Sequence, residues 1–346
     1  MTRRLADVAA KVGVSEATVS RVLNGKPGVS DSTRQAILTA LDVLGYERPT
    51  KLRGEKARLV GLVMPELQNP IFPAFAEVIS GALAQQGYTP VLCIQTVGGI
   101  SEADYVDLLL SQQVSGIIFT GGAYAQADAD HKHYDQLRKL RMPTVVVNAP
   151  IDDIGFVTIS TDDQSSMEQA YGHLVQLGHR HIGLLVQLGH RHIGLLLGPA
   201  DHVPSRRKLA AAQLAAGRHG LDLGERQIVH SLYSLEAAQT AATRLIAEGV
   251  TGIICASDPM ALGAIRAIRR AGKRVPQDIS VVGFDDSAMM ACTDPPLTTV
   301  RQPIEAMGRM IVDLLVRQMS REVPSRDEVL FTPELVVRSS TAPISS

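Results

Sequence analysis

Glu16, Ala17, Ser20 and Arg21 sit at helical spacing on one face of a short segment whose other face is Val19, Val22 and Leu23. That combination suits the reading of a base edge. The Arg21 guanidinium can donate two parallel hydrogen bonds to a guanine, and small neighbours let a helix enter the major groove. The elements that must position this face are legible around it. Leu5, Val8 and Ala9 recur at i, i+3, i+4 and give a preceding helix one apolar face. Gly13 stands where a tight turn needs a residue tolerant of positive φ. Ser15 can cap the second helix. A third helix follows, capped by Ser30 or Asp31, with Ile37, Leu38, Leu41 and Leu44 inward, and ends at Gly45-Tyr46. Residues 1–46 thus read as an all-α helix-turn-helix head. The residues expected at double-stranded DNA are Leu5, Ser15, Glu16, Ala17, Thr18, Ser20, Arg21 and Asn24.

Charge is distributed to match. The 346-residue chain has a net charge of -1, but residues 1–58 hold 11 Lys and Arg against 6 Asp and Glu, a net of +5, which leaves -6 for the rest. A basic head on an acidic body fits a DNA module joined to a domain that should not adhere to DNA. Residues 47–58 are charged, contain Pro49 and Gly54, and read as a linker or hinge. No apolar run is long enough to span a bilayer, so no membrane partner is expected, and the polar start leaves no room for a signal peptide. Cys93, Cys255 and Cys292 are far apart and read as reduced core residues of a cytoplasmic protein rather than as a disulfide or zinc framework.

From Leu59 onward, strand-like and helix-like segments alternate. Strands are predicted at Leu59–Met64, Thr89–Ile94, Gly116–Thr120, Thr144–Asn148, Gly252–Cys255 and Ile279–Phe284, with helices such as Ala74–Gln86 and Met260–Ala271 between them. This order predicts an α/β fold with parallel sheets, whose ligands sit at the carboxyl ends of the strands. No nucleophile elbow, Walker loop or dinucleotide-binding glycine pattern occurs, so no enzyme activity and no cofactor are expected.

The string Thr18-Val19-Ser20-Arg21-Val22-Leu23-Asn24, together with Gly45-Tyr46, Asn69-Pro70-Ile71-Phe72, Gly283-Phe284-Asp285-Asp286 and Pro296-Leu297-Thr298-Thr299-Val300-Arg301-Gln302-Pro303, resembles the lactose-repressor family of bacterial transcription regulators. The resemblance covers nearly the whole chain. It implies a periplasmic-binding-protein-like core of two doubly wound α/β subdomains, about 59–160 plus 291–322 and 161–290 plus 323–340, within a core spanning 59–346. It also implies a homodimer whose two heads read the half-sites of a near-palindromic operator, and a hinge whose leucine, here Leu52, wedges into the minor groove. A flexible tether is the alternative for that segment.

In such a core the resemblance places effector contacts at Asn69, Phe72, Asn148, Asp162, Asp258 and Asp285. Each acid could instead start the next helix as a cap. Many relatives carry an arginine where this chain has Lys208, which lacks the planar fork, and Arg206 or Arg207 could substitute. Tyr233 is either a stacking ring for a sugar or a half-buried core residue. Within the family, Arg48-Pro49-Thr50-Lys51-Leu52-Arg53-Gly54 and Pro65-Glu66-Leu67-Gln68-Asn69-Pro70 resemble the maltose-responsive repressors of starch and α-amylase genes. So does Pro204-Ser205-Arg206-Arg207-Lys208-Leu209-Ala210. The implied effector is a small sugar, maltose or a maltodextrin. The alternatives are a repressor of another sugar or nucleoside regulon, and a soluble sugar-binding protein without a DNA role, against which residues 1–46 argue.

One feature is foreign to the family pattern. Residues 175–185, Val-Gln-Leu-Gly-His-Arg-His-Ile-Gly-Leu-Leu, repeat unchanged as 186–196. The second copy is expected to form the strand before Gly198-Pro199, with the first extending the helix or bulging out. No metal is expected at the duplicated His-x-His.

Overall fold

The computed structural model describes residues 2–23, 26, 28–43, 58–95, 98–126, 128–151, 154–178, 192–322 and 327–343. Two compact units divide the chain at residue 59.

The first unit is three helices, α1 (Thr2–Val12), α2 (Glu16–Leu23) and α3 (Asp31–Val43). Gly13 takes φ +74° and donates its N–H to the Ala9 carbonyl, closing α1. A side chain at that φ would be strained, which is why glycine serves the turn. The Ser15 hydroxyl accepts from Thr18 N–H at 3.1 Å, and the Ser30 hydroxyl from Thr33 N–H at 3.2 Å. Of the two expected caps for α3, Ser30 therefore makes the bond, and Asp31 is the first helical residue. Val8, Ala9, Val19, Val22, Ile37, Ala40 and Leu41 form the core. Leu44, Asn24 and Leu52 lie outside the described residues, as do the side chains of Leu5 and Leu38.

The second unit runs β1 (Leu59–Met64), α4 (Ile71–Gln85), β2 (Thr89–Ile94), α5 (Glu102–Ser111), β3 (Gly116–Phe119), α6 (Lys132–Lys139), β4 (Thr144–Val147), β5 (Val157–Thr161), α7 (Asp163–Gln176) and β6 (His192–Leu197). It continues with α8 (Val203–Arg218), β7 (Ile228–His230), α9 (Leu235–Ala247), β8 (Val250–Cys255), α10 (Asp258–Arg270), β9 (Ser280–Asp285), β10 (Thr298–Arg301), α11 (Ile304–Met319), β11 (Val329–Phe331) and β12 (Glu334–Val336). All six strands expected from sequence are present, two with the expected ends and four with ends shifted by one or two residues.

Two six-stranded sheets result, ordered β2-β1-β3-β4-β5-β11 and β7-β6-β8-β9-β10-β12. Pairing is parallel at β1–β3, β3–β4 and β4–β5, and again at β6–β8, β8–β9 and β9–β10; β12 is antiparallel to β10. The strands are apolar on both faces because helices cover each side: β3, β4, β8 and β9 are buried throughout. Each sheet carries the same order, in which the first strand lies beside the third. The crevice for a ligand therefore opens beyond the carboxyl ends of β1 and β3 in one lobe and of β6 and β8 in the other.

Sheet membership corrects the expected subdomain limits. Residues 291–303 do not join the first subdomain, because β10 pairs with β9 in the second sheet. Likewise β11 pairs with β5 in the first sheet rather than joining the second. The chain crosses between lobes after Thr161, after Gln302 and after Phe331, since α7 contributes Met167, Tyr171 and Leu174 to one core and α11 contributes Met307, Ile311 and Leu315 to the other.

The second copy of the tandem repeat forms the strand, as expected, while most of the first copy falls outside the described residues. Val175 and Gln176 of the first copy end α7, with Gly178 at φ +90°. The second copy supplies β6, hydrogen-bonded to β7 and β8. Residues 179–191, with the first His-x-His, lie outside the described residues.

Candidate functional site

In the head, Glu16, Ala17 and Arg21 are exposed along α2, while Val19 and Val22 are fully buried beneath them. Ser15 is committed to the helix N-terminus and to the Thr18 hydroxyl at 2.8 Å. The outer face is thus small, polar and singly basic, presented from the first two turns of the helix.

In the core, a cavity of about 270 Å³ lies between the two lobes. Pro65 and Glu66 follow β1, Thr120, Gly121 and Gly122 follow β3, Asn148 follows β4, Ala256 and Ser257 follow β8, and Asp285 ends β9. The walls are therefore strand termini, as the topology requires. Asn69, Phe72, Asn148, Lys208, Tyr233 and Asp285, six of the nine residues expected from sequence, line this cavity together.

Two of them hold unusual backbone. Asn148 sits at φ +65° and Asp285 at φ +114°, conformations that cost a non-glycine residue about 1–3 kcal/mol each and that cluster where side chains must be aimed. The amide of Gln302 joins them. Its Nε2 donates to Asp285 Oδ1 at 2.6 Å, and its Oε1 accepts from Thr161 Oγ1 at 2.6 Å and from Asn148 Nδ2 at 3.5 Å. Asn148 Oδ1 in turn accepts from Thr161 N–H at 3.0 Å. Asp285 is 4 % exposed, and burial drives its carboxyl well above the ordinary carboxylate range. The negative charge of Asp258 adds to this, while Gln302, Lys208 and Asn69 oppose it.

A second polar cluster faces the first. Lys208 Nζ donates to Asp163 Oδ1 at 2.6 Å and lies 3.9 Å from the centre of the Phe284 ring. Arg207 Nε pairs with Asp163 Oδ2 at 3.2 Å and Arg207 NH1 with Glu328 Oε1 at 2.6 Å. Glu328 precedes β11 in the first sheet and also accepts from Ser160, so this ion pair ties α8 to the opposite lobe. The Tyr233 hydroxyl meets Ser205 Oγ at 3.0 Å, and burial pushes it up to about 12, so it stays a neutral hydrogen-bonding group. Tyr233 is thus both a cavity wall and a half-buried ring packed against the second core.

Three expected residues stand elsewhere. Asp162 caps α7, accepting from Ser165 N–H at 3.0 Å, and the next residue, Asp163, lines the cavity instead. Arg206 is exposed on α8, one position from the helix face that carries Ser205 and Lys208 inward. Asp258 is completely buried below the cavity. Its Oδ1 accepts from Thr299 Oγ1 at 2.6 Å and its Oδ2 from Ser287 N–H and Oγ, each at 2.8 Å. Desolvation pushes it up to about 6, against the pull of those donors. The cap of α10 is Ser257. Sequence reasoning also missed Gln302, Glu66, Phe284 and His202. Gln302 stands within Arg301-Gln302-Pro303, beside a crossing that no local pattern marks.

Known proteins agree with this architecture. The profile of "Bacterial regulatory proteins, lacI family" matches residues 4–49, and that of the periplasmic binding protein-like domain matches residues 171–341. The chain is 51 % identical to the HTH-type transcriptional regulator MalR of Streptomyces coelicolor over 99 % of its own length and 97 % of the relative's. Among solved structures, it is similar to the lac repressor dimer bound to operator and the anti-inducer ONPF (TM-score 0.74, 29 % identity, covering 97 % and 98 % of the two chains). It is also similar to the CelR–cellobiose complex (TM-score 0.70, 28 % identity, covering 97 % and 99 %). The chain therefore belongs to the lacI family of bacterial regulatory proteins, and it is a helix-turn-helix transcriptional regulator rather than an enzyme.

Proposed function

We propose that the chain is a cytoplasmic, homodimeric repressor of carbohydrate-utilisation genes that leaves a near-palindromic operator when a neutral sugar, maltose or a short maltodextrin, fills the cleft. The observation that carries this reading is the composition of the cavity. Phe72, Phe75, Tyr233 and Phe284 offer apolar rings, and Asn69, Gln95, Asn148, Asp163, Asp285 and Gln302 offer hydrogen-bonding groups. That is what the ring faces and hydroxyls of a sugar require.

The charges argue for a neutral effector. The ammonium of Lys208 is tied to Asp163, and burial holds His202 below its ordinary pKa. Glu66, Asp163 and Asp285 bring acids to the same walls. A sugar phosphate would meet no unpaired cation among the cavity residues. The volume lies near the lower end for small-molecule sites, which favours a disaccharide over long dextrins. Support for the sugar class comes from the MalR likeness and from the CelR relative, whose complex holds cellobiose. Residues 1–46 and 47–58 are proposed as head and hinge, with Ser20, Arg21 and their α2 neighbours at bases, and Asn24 and Leu52 completing the set. Release requires that the sugar bind the non-operator conformation more tightly than the operator-bound one.

Calorimetric titration with maltose and with a phosphorylated disaccharide tests the ligand. Binding of maltose at least tenfold tighter than the phosphate supports the reading. Heat only with the phosphate overturns it.

A further inference from the structure

One buried acid is used by neither the head nor the cavity walls. Glu102 opens α5, is 5 % exposed and is surrounded by donors. Its Oε1 accepts from Tyr134 Oη and lies 2.8 Å from His133 Nε2; its Oε2 accepts from Gln95 Nε2 and from the Ala123 N–H at 3.1 Å. Helix α5 could start without it, because Ser101 already caps the helix, accepting from Asp104 N–H at 3.1 Å. What Glu102 fastens is the segment Gly121–Gln126, which follows β3 and forms one wall of the cavity. The fit is close. Gly122 holds φ +147°, and a Cβ there would collide with Glu102 Oε2. Tyr134, itself bonded to Glu102, accepts the Tyr124 N–H at 2.9 Å. The far end of the segment reaches the other lobe, where Gln126 pairs with His202 as a single antiparallel β-bridge. His202 lines the same cavity, its ring 6.2 Å from that of Tyr233.

We propose that Glu102 is a positioning residue for effector capture: it seats the Gly121–Gln126 segment as a strap across the cleft mouth. The strap is fixed to the first lobe by the Glu102 carboxylate and to the second by the Gln126–His202 bridge, so it can close only over a correctly spaced pair of lobes. Glu102 acts through the Ala123 N–H and through Tyr134, without lining the cavity. This rests on reading the cleft as the effector site.

The test uses the full-length protein and two variants, Glu102→Gln and Tyr134→Phe, each keeping side-chain size. Hydrogen exchange of the strap amides is measured without any sugar, and maltose affinity and operator affinity are measured in parallel. The strap amides of both variants should exchange at least tenfold faster while β3 and β4 are unchanged. Maltose affinity should fall about tenfold, and operator affinity without sugar should stay within twofold. A general loss of folding would instead speed exchange throughout and weaken the operator complex. Should one variant fail to fold, the other decides. Unchanged strap exchange in a folded variant overturns the proposal. If the unsubstituted protein gives no heat with maltose, the ligand assignment fails on its own, and the exchange result still decides the strap.

Discussion

Gln302 and Asp285 are held 2.6 Å apart, the amide nitrogen of one donating to the carboxylate oxygen of the other. Gln302 lies where the chain passes from the second sheet to the first, immediately after β10, and Asp285 ends the neighbouring strand β9. Because the Gln302 carbonyl oxygen also takes the Thr161 hydroxyl and the Asn148 amide, a group that displaces Gln302 from Asp285 is felt by residues of both lobes at once. A sugar hydroxyl on Asp285 would do this, linking cleft occupancy to lobe geometry through a continuous hydrogen-bonded path.

The first prediction concerns Asp285. Asp285→Ala removes the acceptor and leaves the Gln302 amide without its partner. Maltose affinity should fall about 10–100-fold, the cost of a lost hydrogen bond and an unpaired amide in a buried site. Operator affinity without sugar should stay within twofold. Anisotropy titrations with and without maltose check both, and normal release by maltose would remove Asp285 from the site.

Asp258 predicts a pH dependence. Its folded-state pKa is about 6 against an ordinary 3.8, mainly through desolvation. Between those values the folded protein binds its proton more tightly than the unfolded chain does. Raising the pH across that window therefore withdraws stability, by up to about 3 kcal/mol. Asp258→Asn cannot ionise. Its stability relative to the unsubstituted protein should rise from pH 4 to pH 7 in thermal melts. A constant difference across that range would contradict the assignment of the shift to Asp258.

For the head, Arg21→Ala should cost about 1–3 kcal/mol of operator affinity and relax base preference at one position of each half-site. Val19 and Val22 hold the helix from beneath, so the fold should persist. Selection from a random duplex pool reads the preference directly; an unchanged selected sequence removes Arg21 from base reading.

Deleting residues 175–185 should leave fold and operator binding intact. The joined chain would still read Val-Gln-Leu-Gly-His-Arg-His-Ile-Gly-Leu-Leu once, enough to end α7 at Gln176 and to supply β6. Removing 11 residues from this connection changes loop-closure entropy by less than about 2 kcal/mol. Circular dichroism melts and operator titration check this, and a large loss of stability would mean that both copies are built into the core.

Much of this architecture is written locally. The cap Ser15, the turn residue Gly13 and the apolar spacing of Val8, Ala9, Val19 and Val22 define the head within a few residues of one another. The strands of the core are apolar runs bounded by turns, and Asp285 and Asn148 stand at their ends. What the sequence did not disclose depends on distant partners. Asp162 and Asp163 are chemically alike, and only the start of α7 turns the second toward Lys208. Asp258 looks like any acid after a strand until Thr299 and Ser287, from remote segments, enclose it. The lobe crossings at β10 and β11 are a matter of which sheet has room beside β9 and β5, which no local pattern records.

The central claim is that cleft occupancy by a neutral sugar sets operator affinity. It is tested most directly by fluorescence anisotropy of a labelled operator, selected from random duplex DNA, titrated with the full-length protein in the presence of maltose, glucose or lactose. Release by maltose alone is the predicted result. Tight operator binding that no concentration of maltose disturbs would contradict it.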